Sequence, residues 1–149
     1  MANEHVTELA QRVRHFVERQ ILPREAELGR CDAAAARLSA ELQAQAKAAG
    51  VFGNFYPVAD GGRLARLIDY LEVAAEEGRS EFAPAILGCD ATLDCHMLAR
   101  HANPSLRERV YLPLVRGEQV PCYAMSEPDS CSGIGAALRH MPRPVQAAA

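Results

Sequence analysis

Between residues 50 and 62 the chain reads GVFGNFYPVADGG. Four glycines, a proline and an Asp-Gly step break any helical winding there. Yet the segment carries Val51, Phe52, Phe55 and Tyr56, side chains that gain free energy by leaving water. A chain with this stretch in it has to place helices on either side of a loop that is itself packed. Such a loop is either tucked between helices or set beside a ligand site, and spacing alone leaves both open.

The flanking segments carry the helical period. In residues 3–20, Val6, Leu9, Val13, Phe16 and Val17 recur at three- and four-residue steps and share one face. Leu22-Pro23 is expected to end that helix, because the residue before a proline is pushed away from helical geometry. A second helix is expected over 32–49, with Asp32 as N-cap, Gly50 just past its end, and Leu38, Leu42, Ala46 and Ala49 inward. A third, over 63–78, has Leu64, Leu67, Ile68, Leu71, Ala74 and Ala75 as its buried stripe. Its Glu72, Glu76 and Glu77 lie off the stripe and read as solvated charge. A fourth, over 82–100, tolerates Pro84 in its first turn and turns Ile86, Cys89, Leu93, His96, Met97 and Arg100 to one side. Asn103-Pro104 opens a fifth, with Leu106, Val110 and Leu114 inward, Pro113 kinking it and Gly117 closing it. Abundant alanine, the residue that loses least on entering a helix, agrees with this reading.

From residue 119 the period changes, and residues 119–125 (QVPCYAM) read as the start of an extended strand. Residues 133–149, rich in Ala, Arg and Pro, form a poor core and read as a disordered tail. The fold expected is all-α, an orthogonal bundle of about five or six helices with a short extended segment before that tail.

With 149 residues, 49% of them hydrophobic, the chain can build one compact core. A net charge of −3 with both signs mixed argues against a nucleic-acid partner. No apolar run approaches the ~18 residues of a membrane span. The first eight residues hold no signal-peptide core, which gives a cytoplasmic expectation. The odd set Cys31, Cys89, Cys95, Cys122 and Cys131 reads as free thiols. Cys89, Cys95, His96 and His101 are spaced too irregularly for paired zinc ligands, so no metal is expected. They show no third group that would orient a Cys-His nucleophile either. Residues 131–135 (CSGIG) lack the spacing of a dinucleotide-binding fingerprint.

Residues 123–128 (YAMSEP) run a strand into a hydroxyl and exposed backbone N–H groups, which suits a flat heterocycle or an ordinary turn. Four stretches in order resemble the acyl-CoA dehydrogenase family over residues 5–132. They are FVERQILP at 16–23, the Gly-Val-Phe-Gly, Pro and Asp-Gly-Gly marks of 50–62, LPLVRGE at 112–118, and YAMSEP.

The resemblance implies an N-terminal helical domain over 1–118, the start of a middle β domain with its flavin-contact strand over 119–132, and an unstructured 133–149. It implies FAD as cofactor and acyl-CoA as substrate, with Tyr123, Met125 and Ser126 at the isoalloxazine ring and Ser132 on the phosphate side. It places the loop at 52–56 and the fourth helix beside the acyl chain. The family's Gly-Ser-Asp reads Cys131-Ser132-Gly133 here, and the likeness ends there. Residues 133–149 are expected to carry none of the middle β domain, the C-terminal bundle or the catalytic glutamate. The expected function is therefore the N-terminal portion of an FAD-dependent acyl-CoA dehydrogenase, inactive alone. The alternatives are a non-enzymatic helical binding module and one half of a split dehydrogenase, with a homo-oligomer or a missing-domain partner.

Overall fold

A computed structural model describes residues 4–122. Eight helical segments are present among them: α1 (Glu4–Phe16), α2 (Glu25–Leu28), α3 (Ala33–Ala48), α4 (Leu67–Glu77), α5 (Ala83–Leu87), α6 (Thr92–His101), α7 (Pro104–Leu106) and α8 (Leu112–Val115). Turns of other winding join α1 to α2 and α7 to α8, so the bundle has six helical bodies. No strand occurs among the described residues. The fold is all-α, as the periodicity requires.

α1 buries Val6, Leu9, Val13 and Phe16 as expected and packs along α4. Pro23, however, does not end the helical path. Val17–Ile21 widen into a π turn, closed by the Leu22 N–H on the Val17 carbonyl, and the chain winds on through Leu22–Arg24 into α2. A proline has no N–H to give, and its ring crowds the carbonyl four residues back. The wider turn moves the carbonyls out of the way. The same device precedes Pro113: Arg107–Tyr111 form a π turn closed by the Leu112 N–H on the Arg107 carbonyl. The inserted residue also shifts the inward face. Tyr111 is fully buried, whereas Leu106, expected inside, is 40% exposed.

α3 keeps its expected caps. Asp32 accepts from the N–H groups of Ala34 and Ala35 at 2.9 and 2.8 Å. At the other end Gly50, at φ +65°, lets the N–H of Val51 reach the Ala46 carbonyl and its own N–H reach Lys47, both at 3.0 Å. Leu42 and Ala46 are buried and Leu38 partly so, but Ala49 is exposed.

Two expectations about helix faces fail. The fourth helix is not continuous: Gly88, at φ +80°, separates α5 from α6. One left-handed residue resets the helical phase, so Ile86 and Leu87 stay buried while Leu93 and Met97 turn to solvent with His96 and Arg100. In α4 the stripe is reversed. Val73 and Glu77 face the core, and Leu67, Ile68 and Leu71 face out. Leu64 is buried, but in the loop before the helix.

Candidate functional site

The loop at 50–62 is tied to its surroundings through both backbone and side chains. Gly53 N–H donates to the Leu87 carbonyl at 2.8 Å, holding the loop to the end of α5. Asn54, 2% exposed, donates through Nδ2 to the Val51 carbonyl and to Glu77 Oε1, at 2.9 and 3.0 Å. Its own carbonyl accepts the N–H groups of Arg63 and Leu64. Phe55 stacks on Tyr70 at 4.7 Å, and His96 Nε2 sits 2.7 Å from the Phe55 carbonyl. Tyr56 donates to the Gly88 carbonyl at 2.7 Å. Beyond it, Asp60 accepts from Arg107 Nη2 at 2.8 Å and from the Tyr111 hydroxyl at 2.5 Å. The second π turn brings those two donors to one carboxylate.

Glu77 lies at the hub of this arrangement. Expected as solvated charge, it is 3% exposed. It accepts from Asn54 and, at 2.5 Å, from the Tyr70 hydroxyl, and the Cys89 thiol approaches the same carboxylate. Burial, together with that carboxylate, pushes the Tyr70 phenol and the Cys89 thiol well above their ordinary ranges. A helical Glu at the end of a polar face gives no sign of this in the sequence. The clue lies in the loop, where Asn54 needs an acceptor once it is buried.

The Cys and His residues considered together above are apart in function. Cys89 faces Glu77, Cys95 faces Tyr56, and His96 caps the Phe55 carbonyl. Among the described residues no three His, Cys, Asp or Glu side chains converge on one point.

Cys95 is fully buried, and burial first, then Asp94 and Asp60, push its thiol up to about 12 from 9.0. Above pH 9 the unfolded chain sheds this proton while the folded chain keeps it, so stability must fall as pH rises from 9 toward 12. Urea midpoints measured from pH 8 to 10.5 are expected to decline, and Cys95→Ala to remove part of that decline. An identical slope in both proteins would show that Cys95 has no share in it. Cys89, also raised by burial, adds to the decline from pH 9, and Tyr56, Tyr70 and Tyr111 add to it above pH 10.

Where α5, α8 and the loop meet, a cavity of ≈40 Å³ is lined by Phe52, Tyr56, Gly88 and Leu114. Phe52 sits edge-on to Tyr56 at 5.8 Å, under the Lys47 ammonium at 4.9 Å. Gly88 and Gly117 approach its ring so closely that a Cβ on either would stand 2.8 or 2.7 Å from ring carbons. Gln119, Val120 and Pro121 cover the cavity as the chain leaves α8. Tyr123, Met125, Ser126 and Ser132, the residues expected at a flavin, lie outside the described residues, as do most of 119–132 and all of 133–149. A site enclosing a cofactor takes roughly 300–1,000 Å³. This cavity does not by itself enclose a flavin.

α4 and α6 also leave an apolar surface. Leu67, Ile68, Leu71, Leu93 and Met97 are between 53% and 76% exposed, beside the Phe55–Tyr70–His96 cluster. No helix among the described residues is long and apolar enough to cross a membrane.

Residues 3–118 match the family described as acyl-CoA dehydrogenase, N-terminal domain. The chain is 30% identical over 136 residues to acyl-CoA dehydrogenase family member 11 of Pongo abelii, covering 84% of this chain and 17% of that one. It is 29% identical over 134 residues to the mitochondrial isovaleryl-CoA dehydrogenase of Pongo abelii, covering 89% of this chain and 31% of that one. A solved structure from Mycobacterium abscessus, assigned as an acyl-CoA dehydrogenase, superposes with a TM-score of 0.75 at 27% identity, over 89% of this chain and 36% of that one. The chain thus spans well under half the length of these relatives.

Proposed function

Because the chain belongs to the acyl-CoA dehydrogenase family through its N-terminal domain, we propose that it is the helical N-terminal portion of an FAD-dependent enzyme that dehydrogenates acyl-CoA thioesters between the α and β carbons. In this reading residues 1–118 are the helical domain, 119–132 lead into a flavin-contact strand bearing Tyr123, Met125, Ser126 and Ser132, and 133–149 add nothing to the site. These 149 residues alone do not turn over substrate. The acyl chain lies against the clasped loop and α5, and a middle β domain and a C-terminal bundle complete the enclosure.

The observation that carries this reading is the apolar outer face of α4 and α6. Monomers seldom expose five large apolar side chains together unless something covers them. A one-half split dehydrogenase uses the same face, with the remaining domains on a second polypeptide.

The purified chain is expected to show no stoichiometric flavin absorbance. Mixed with a polypeptide carrying the middle and C-terminal domains of a family member, it is expected to co-purify, retain flavin and reduce a dye with acyl-CoA. Leu71→Glu, on the exposed face, should leave stability within about 0.5 kcal/mol and abolish co-purification. One flavin per isolated chain would overturn the reading that other domains complete the enclosure. A partner bound equally well without flavin or acyl-CoA would favour the non-enzymatic binding module.

A further inference from the structure

The outer face of α4 and α6 carries a charge as well as apolar side chains. Phe55 touches the Tyr70 ring of α4 and the His96 ring of α6, so the two helices flank one ring and their exposed sides adjoin. Leu67, Ile68 and Leu71 lie on one of those sides, Leu93 and Met97 on the other. Glu72, four residues after Ile68 and therefore beside it on the helix, is exposed. Among the described residues it makes no ion pair, whereas Asp69 and Glu76 have Arg66 at 3.8 Å and Arg79 at 3.4 Å. An apolar face with an unpaired carboxylate at its edge fits a short amphipathic segment with a basic flank.

The chain carries such a segment beyond the described residues. After Asp129 it has no acidic residue, but it has Arg139, His140 and Arg143. Ile134, Leu138 and Met141 recur at four- and three-residue steps, which on a helix gather on one side with Ala137, while Arg139 and His140 flank that side. Pro142 bounds the pattern. So short a stretch, with Gly135 inside it, does not sustain a helix in water on its own. Against an apolar face it gains the burial that it lacks alone.

The connection is long enough. Residues 123–133 join the last described residue to Ile134. Extended, that stretch spans about 40 Å, and a domain of this size is about 35 Å across. A tether of this kind presents the segment at an effective concentration in the millimolar range. A second copy of the chain has to find the face from dilute solution.

We propose that residues 134–141 dock on the α4–α6 face of their own chain as an amphipathic helix. Ile134, Leu138 and Met141 meet the exposed leucines, and Arg139 lies toward Glu72. The cap needs only the face and stands whether or not the dehydrogenase reading holds. Where that reading holds, the segment has to leave before the remaining domains seat, so the cap is autoinhibitory.

The test is the rate of trypsin cleavage after Arg139 in the 149-residue chain, followed by mass spectrometry. Docking hides this bond, so the wild type is expected to be cut about tenfold more slowly than Ile134→Glu. That variant breaks the apolar side of the segment and leaves the packed helices untouched. Leu71→Glu, which changes the face instead, is expected to reach the same fast rate, and the double variant to go no faster. Glu72→Arg should speed cleavage by about threefold at low salt, with a smaller effect at high salt. Equal rates in wild type and Ile134→Glu would overturn the cap. Protection lost in Ile134→Glu but kept in Leu71→Glu would place the segment elsewhere and overturn it as well. Protection that disappears on dilution from about 100 µM to about 1 µM would assign the cover to a second copy, with the same consequence.

Discussion

Gly62→Ala is expected to lower stability by about 4 kcal/mol, the largest loss of any single substitution in the loop. Gly62 has an ordinary negative φ, so nothing about its own backbone excludes a side chain. The obstacle is its neighbour across the turn. Gly62 N–H donates to the Pro57 carbonyl, and a Cβ at this position would fall within the Tyr56 carbonyl oxygen and 2.5 Å from its carbon. Both are backbone atoms of a residue pinned through its hydroxyl to Gly88, so neither can step aside cheaply. Gly61 provides the control. It has φ +103°, which disfavours any side chain, but nothing lies within 4 Å of its Cβ position. Gly61→Ala should cost about 1 kcal/mol. Urea midpoints of the two variants, at unchanged m-value, measure the difference. Equal losses would mean that the Tyr56 backbone is free to move and that the loop is less firmly tied than its hydrogen bonds suggest.

Glu77→Ala should cost about 3 kcal/mol, since it strands the Asn54 amide and the Tyr70 hydroxyl in a place water does not reach. It should also make Cys89 faster to alkylate at pH 8. Burial and the Glu77 carboxylate both hold that thiol protonated, and the substitution removes one and loosens the other. Glu77→Gln keeps the shape and one acceptor but turns an NH2 toward a donor, so a smaller loss of about 1–2 kcal/mol is expected. If alanine leaves both the midpoint and the alkylation rate unchanged, the hub is not holding the loop.

The helical content, the two caps of α3, the core face of α1 and the family were all legible in the residues. Each rests on a local signal: a period, an Asp before an alanine run, a glycine after it, short motifs in order. The faces of α4 and α6 were not legible, for two different reasons. α4 has apolar residues on both sides, and periodicity cannot say which side α1 will choose. In α6 the pattern was counted through Gly88, and one left-handed residue ended the count. Tyr111 was missed in the same way, because the π turn adds a residue that no sequence period contains. The site was the least legible part. Glu77 and Asp60 take their roles from partners 23 and 47 to 51 residues away along the chain. The residues proposed at the flavin lie outside the described region.

The two π turns before Leu-Pro bear on what kinds of genetic change this domain can absorb. Each holds one residue more than ordinary helical winding needs. Loss of a single codon inside Val17–Ile21 or Arg107–Tyr111 can therefore be taken up by tightening the turn, leaving only the proline ring to be accommodated and the helices on either side in phase. The same loss within α1 would rotate everything after it by about 100° and turn its core face outward. For length variation these turns act as expansion joints, so homologous chains that differ by one residue in their helices should differ here first.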